Sequence, residues 1–367
     1  MPKVKVLIVD DAAVMRKVLT EILSSSSQIE VVGTAADPYI AREKIKLLNP
    51  DVLTLDVEMP KMDGITFLKN LMRLRPMPVV MISTLTEDGA DVTLEALASG
   101  AIDYISKPKS DFEHSINDYA NDIIEKVLTA SRVNVRKIER RIKSVETMKV
   151  SPRYSVDAII KDSASTVFKN TTDKFIAIGA STGGTEAVKE VLMGLPSDIP
   201  GIVIAQHIPA SFSSSFARRL NEYSNLRVRE ARDGDQIQPG HAYLAPGDKH
   251  LIIKRTGAKY VCVLNDGPEV NRHKPSVDVL FRSVAQSAGA NAMGVMLTGM
   301  GADGAQGMLE MKKAGAYNVA QDEKTSVVWG MPGAAVKLGA VSKELPLESM
   351  AKEIINFSSK AAHKRSK

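Results

Sequence analysis

Ser181 stands where an apolar run, Phe175 to Ile178, meets glycines Gly179, Gly183 and Gly184, and 185–192 then continues with helical spacing. A strand that turns sharply into a helix carries a serine hydroxyl beyond its carboxyl end, beside the unpaired N–H groups of the new helix. This suits a nucleophile and an oxyanion, although such turns also bind phosphate or simply reverse the chain. An alcohol needs a base at neutral pH, and the base needs an orienting carboxylate. His207 closes the apolar run that begins at Ile199, and Asp303 lies in Gly299-Met-Gly-Ala-Asp-Gly304 after the run 292–298. Taken singly, His207 reads as a strand-end histidine and Asp303 as a helix N-cap; together with Ser181 they form a triad candidate. Gly179 to Gly183 spells G-x-S-x-G, but the order Ser, His, Asp departs from the Ser, Asp/Glu, His order of α/β-hydrolases. A second set, Asp10, Asp11, Asp56, Ser83 and Lys107, sits at the ends of other apolar runs. Clustered carboxylates repel unless a divalent cation joins them, oxygen ligands suit Mg²⁺, and a lysine and a hydroxyl nearby would hold phosphoryl oxygens.

The elements that must position these groups follow from periodicity. In residues 1–130, strands are expected at 4–9, 29–35, 51–55, 79–82 and 102–105, alternating with helices at 12–23, 38–48, 64–74, around 94–99 and 116–127. Five βα units predict a doubly wound parallel sheet, whose sites lie beyond the carboxyl ends of its strands. Residues 173–357 predict a second, mostly parallel α/β domain with a hairpin insertion, its strands near 251–254 and 260–264 joined by the turn Arg255-Thr-Gly-Ala258. Between the domains, apolar residues at 135, 138, 142 and 145 predict a helical extension, and the Ser/Thr/Lys-rich stretch up to 172 a flexible linker. Residues 358–367 read as a basic tail.

Charge is unevenly spread. The whole chain carries a net +5, with −6 in residues 1–131 and +6 in 132–174. The basic excess therefore lies in a connector and a tail, not on a folded face, which argues against nucleic-acid binding. No apolar run is long enough to span a membrane, and the start lacks a signal-peptide core, so a cytoplasmic protein without membrane insertion is expected. The single cysteine, Cys262, lies in an apolar run and reads as a core residue. Of the other histidines, His250 and His273 are candidates to line the site, although neither stands directly at a buried strand end.

Val9-Asp-Asp11, Leu55-Asp56 with Met59-Pro-Lys-Met-Asp-Gly64, Ile82-Ser83 and Ser106-Lys107-Pro108 closely resemble the response-regulator receiver domain. The resemblance implies that Asp56 accepts a phosphoryl group from a histidine kinase and that Asp10 and Asp11 help it hold Mg²⁺. It also makes Ser83 the switch hydroxyl, Tyr104 the switch aromatic and Lys107 the phosphoryl-binding cation. Gly179-Ala-Ser-Thr-Gly-Gly184, Ala205-Gln-His-Ile-Pro209, Ala245-Pro-Gly247 and Leu297-Thr-Gly-Met-Gly-Ala-Asp-Gly304 resemble the chemotaxis protein-glutamate methylesterase family. That implies Ser181 as nucleophile, His207 as base and acid, Asp303 as orienting carboxylate, Met300 as an oxyanion-hole amide and Thr182 as a pocket residue. The implied substrates are methyl-accepting chemoreceptors, the implied chemistry needs no cofactor, and a monomer is expected. A DNA-binding output, a small-molecule esterase and a silent binding module are the alternatives that spacing alone leaves open.

Overall fold

The computed structural model describes residues 2–84, 86–107, 116–133 and 174–359; the predicted linker helix, from 134 onward, and the basic tail from 360 lie outside them. The first sheet is built from β1 (Val4–Val9), β2 (Ile29–Ala35), β3 (Val52–Asp56), β4 (Val79–Ser83) and β5 (Asp103–Ser106), with α1 (Ala13–Ser24), α2 (Pro38–Leu48), α3 (Gly64–Leu74), α4 (Glu87–Ala98) and α5 (Ile116–Ser131) between and after them. The strand order is β2-β1-β3-β4-β5, all parallel. Continuous apolar runs in β1, β3 and β4 bury both faces of these strands, as a sheet covered by helices requires. The order reverses at β1, so the crevice opens between β1 and β3, beside Asp10 and Asp56.

The second domain repeats this logic. Its strands are β6 (Phe175–Ala180), β7 (Ile202–Gln206), β8 (Arg227–Glu230), β9 (His241–Leu244), β12 (Ala292–Met296), β13 (Tyr317–Gln321) and β14 (Lys343–Leu345), in the order β14-β13-β12-β6-β7-β9-β8. Every pairing in this sheet is parallel. The predicted hairpin is β10 (His250–Thr256) against β11 (Lys259–Asn265), antiparallel and separate from the main sheet. The helices are α6 (Gly184–Met193), α7 (Ala210–Tyr223), α8 (Val277–Ser287), α9 (Ala305–Lys313), α10 (Met331–Lys337) and α11 (Leu347–Ser359). Chain order reverses at β6, which lies between β7 and β12. Register aligns Gly179 with Met296 and Ala180 with Gln206, so three strands finish level with one another.

Helix α10 and strand β14 were not anticipated. Pro332 falls in the first turn of α10, where its missing N–H costs nothing. Gly333 lets the helix lie against Trp329, whose ring would come within 2.9 Å of an added Cβ. Helix α4 also begins earlier than its apolar spacing indicated, at Glu87, because the Thr86 side chain accepts from the Gly89 N–H and caps it. Cys262 is buried among apolar side chains, and burial pushes its thiol up to about 12. No described helix is long and apolar enough to cross a membrane.

Candidate active site and its receiver

Ser181 follows β6 and keeps the sheet pattern for one more residue, its N–H donating to Thr298 O at 3.0 Å. The chain then reverses through Gly183, at φ +76°, into α6. A Cβ on Gly183 would come within 2.7 Å of Val327, and one on Gly299 within 2.8 Å of Ser181 Cβ, so both positions need glycine to keep the turn tight. The Gln206 side-chain amide donates to Ser181 O at 3.0 Å and to His207 O at 3.2 Å. It thereby ties the serine turn to the end of β7.

His207 is the next residue, and its N–H still donates to Ala180 O at 3.2 Å. Its Nδ1 lies 3.1 Å from Ser181 Oγ, and its Nε2 lies 2.8 Å from Asp303 Oδ2. The register of β12, β6 and β7 thus brings the three predicted residues into one hydrogen-bonded line. Asp303 is buried, which by itself would raise its pKa. Hydrogen bonding to His207, the His207 charge, Asn271 Nδ2 and the Val277 N–H outweigh burial and hold it well below the usual carboxylate range. Ser276 Oγ, at 2.8 Å, also donates to it. A carboxylate so held stays ionised, so the His207 proton resides on Nε2 and Nδ1 is left to accept from the serine.

The segment before α8 brings His273, one of the two histidines expected to line the site, together with Asn271 and Ser276, which the sequence did not single out. Val270 and His273 exchange backbone hydrogen bonds of 3.1 and 3.0 Å around Asn271 and Arg272, both at positive φ (55° and 66°). This is the tight two-residue turn whose first position favours asparagine. It aims Asn271 at Asp303 and lays the His273 ring on His207, with centroids 3.6 Å apart and planes 16° from parallel. Burial, and then the neighbouring His207, lower the His273 pKa to about 4, so that ring is neutral near pH 7. His250 has a supporting role: its Nδ1 accepts from the Ser276 N–H at 3.2 Å, and its Nε2 is 2.9 Å from Pro268 O. The only local signal for this layer was Asn-Arg-His ahead of a serine N-cap.

In the first domain, Asp10, Asp11 and Asp56 offer carboxylate oxygens within 4.8 Å of one another. Lys107 Nζ lies 2.8 Å from Asp56 and 3.7 Å from Asp10. Burial, with Asp10 adding to it, raises Asp56 to about 6 despite Lys107, and burial also raises Asp10. Asp10 Oδ2 is buried without a hydrogen-bond partner. Three carboxylates against one lysine leave excess negative charge and a buried oxygen without a hydrogen bond, a donor set that fits a divalent cation. Ser83 Oγ lies 2.6 Å from Thr93 Oγ1, and Tyr104 is buried.

Residues 176–354 match the CheB methylesterase family and residues 6–117 the response regulator receiver domain. Across nearly the whole length, the chain is 58% identical to a protein of Hydrogenovibrio crunogenus named protein-glutamate methylesterase/protein-glutamine glutaminase, covering 97% of this chain and 99% of the relative. The chain belongs to the CheB methylesterase family. A Xanthomonas oryzae relative with the same activities in its name is 57% identical over 98% of each chain. Among solved structures, the Thermotoga maritima CheB methylesterase catalytic domain is 36% identical, with a TM-score of 0.49, covering 50% of this chain and 97% of that one.

The receiver and methylesterase domains meet beside the triad. Tyr104 stacks on Phe212 of α7 with centroids 4.9 Å apart and planes 12° from parallel. Thr182 Oγ1 donates to Asp103 Oδ2 at 2.5 Å, and Thr129 of α5 reaches Met300 Sδ at 2.7 Å. Arg218 and Asp91 form an exposed two-oxygen pair at 2.7 and 2.9 Å. Receiver elements β5 and α5 therefore contact Thr182 and Met300, the two residues expected to line the pocket, and α4 meets α7 through the Asp91–Arg218 pair.

Proposed function

We propose that this chain hydrolyses γ-methyl esters of glutamyl side chains on methyl-accepting chemoreceptors, and deamidates receptor glutamines at the same site, under control of receiver phosphorylation. The Ser181–His207–Asp303 line of hydrogen bonds carries this reading. His207 Nδ1 takes the Ser181 proton as Oγ attacks the ester carbonyl. The tetrahedral oxyanion is held by backbone N–H groups, with the Met300 amide assigned as one donor. His207 returns the proton to the departing methoxide and methanol leaves; a water, deprotonated by His207, then clears the acyl-enzyme. Asp303 stabilises the imidazolium without taking its proton. An amide carbonyl enters the same sequence and releases ammonia.

In the receiver, Asp56 is the phosphoacceptor for a chemotaxis histidine kinase, and Lys107 neutralises the incoming oxygens. Asp10, Asp11 and Asp56 would hold Mg²⁺, which when bound would supply positive charge to the phosphoryl group. Ser83 and Tyr104 report the modification to the α4–β5–α5 face. Because that face lies over Thr182 and Met300, the unphosphorylated receiver restricts access to Ser181, and phosphorylation loosens the contact.

Methanol release from methylated receptor tests both halves together. Ser181→Ala is expected to lose turnover by about 10⁴-fold or more, and Asp56→Ala to keep its basal rate without responding to a phosphodonor. Undiminished turnover by Ser181→Ala would refute the assignment.

A further inference from the structure

The contact between Thr182 and Asp103 is chemically specific in a way that simple coverage does not require. Thr182 follows the nucleophile, is buried, and uses its hydroxyl on one partner, a carboxylate oxygen of the receiver. Asp103 opens β5, and its other oxygen accepts from the Tyr104 N–H at 2.8 Å. Burial raises the Asp103 carboxyl above the usual carboxylate range, and Lys126 opposes that shift from within the receiver; Lys126 Nζ donates to Tyr104 O at 2.9 Å and pairs with Asp122 at 3.1 Å. With one Asp103 oxygen held by its own strand's Tyr104 N–H, the side-chain hydrogen bond to Oδ2 comes from the esterase domain. A carboxylate is also what the proposed reaction makes, because hydrolysis of a glutamyl γ-ester leaves a γ-carboxylate one residue from Thr182.

We propose that the Thr182 hydroxyl is the carboxyl-binding group of the esterase site, and that Asp103 occupies it as a stand-in for the product. In the substrate complex the hydroxyl donates to an ester oxygen. In the product complex it donates to the new carboxylate, a stronger charge-assisted bond. In the resting chain it donates to Asp103. Receiver and product therefore compete for one donor, and the receiver inhibits by resembling the product as well as by covering the site. This rests on the assignment of Ser181, His207 and Asp303 as an esterase triad.

The test uses the full chain and N-acetylglutamate methylamide, which presents a free γ-carboxylate, with N-acetylnorvaline methylamide as the uncharged control. Binding is measured by calorimetry and inhibition by methanol release. Asp103→Ala is expected to bind the glutamate analogue more tightly than wild type and to be inhibited by it competitively. Adding Thr182→Val is expected to weaken that binding about tenfold, the loss of one charge-assisted hydrogen bond, and Thr182→Ser in its place to restore it. Equal affinity in Asp103→Ala with and without Thr182→Val would overturn the proposal, as would equal binding of the norvaline analogue. An Asp103→Ala chain that binds the analogue as expected but releases no methanol would instead strike at the triad assignment.

Discussion

Asp56 and Asp303 are buried carboxylates at the carboxyl edges of two parallel sheets, and they are poised in opposite directions. Around Asp56, burial and the neighbouring Asp10 outweigh Lys107, and its pKa rises to about 6. Around Asp303, burial is outweighed by His207, Asn271 and the Val277 N–H, and its pKa falls well below the ordinary range. The difference lies in the donors supplied by the segment before α8. A carboxylate surrounded by donors is a fixed anion, fit to orient a histidine through many turnovers. A carboxylate crowded by its own kind is an incomplete site that calls for a cation and a phosphoryl group. The same fold logic thus yields a permanent charge in one domain and a switchable one in the other.

Replacing each carboxylate by an amide tests this contrast. The largest effect is expected in turnover: Asp303→Asn should lower kcat by about 10³- to 10⁴-fold, because the amide no longer fixes the histidine tautomer. Stability should move in opposite directions at the two sites. In metal-free buffer, urea unfolding should show Asp303→Asn destabilised by about 2 kcal/mol, because the buried Asn271, Ser276 and Val277 donors lose a charged acceptor. Asp56→Asn should be stabilised by about 1 kcal/mol through relief of the crowding that raises its pKa. Destabilisation of both by similar amounts would dissolve the distinction.

At the junction between the domains, Phe212→Leu keeps apolar volume but loses the stack on Tyr104. An aromatic pair adds about 1 kcal/mol beyond burial, so unstimulated methanol release should rise roughly fivefold. A pH-dependent effect, confined to acid pH, is expected at His273. Its folded pKa is about 4, below the value of about 6.5 for an unfolded histidine. The unfolded chain therefore binds more protons between those values, and the stability lent by a neutral His273 is lost as pH falls from 6.5 towards 4. His273→Phe keeps the stack on His207 and should flatten that part of the stability–pH curve; an unchanged slope would mean that His273 does not titrate as described.

The sequence made the catalytic line legible because each member stands at a strand end, and strand ends are marked by apolar runs giving way to glycine or polar residues. Ser181, His207 and Asp303 needed only the parallel order of β12, β6 and β7 to meet, and the acidic cluster needed only β1 and β3 as neighbours. The layer behind them was legible only in part: His250 and His273 stood out as residues that could line the site, but not their contacts, nor Asn271 and Ser276. Asn271 and His273 are placed by a tight turn with two positive φ values and Ser276 by its N-cap position on α8, and their reach to Asp303 and His207 depends on packing between segments far apart in the chain. The domain contact was hidden for a related reason. Asp103 reads as one more acidic residue in a receiver strand, and only the packed structure brings it to Thr182. Helix α10 was missed because Pro and Gly at its start look like a turn until Trp329 is seen against it.

The central claim is that access to Ser181 is governed from Asp56. The rate at which a serine-directed fluorophosphonate labels Ser181 in the full chain, with and without a small-molecule phosphodonor and Mg²⁺, measures that access without relying on a receptor substrate. Labelling should be slow at rest, accelerate on phosphorylation of the wild type, and stay slow in Asp56→Ala. Equal labelling rates in the resting and phosphorylated wild type would contradict the account.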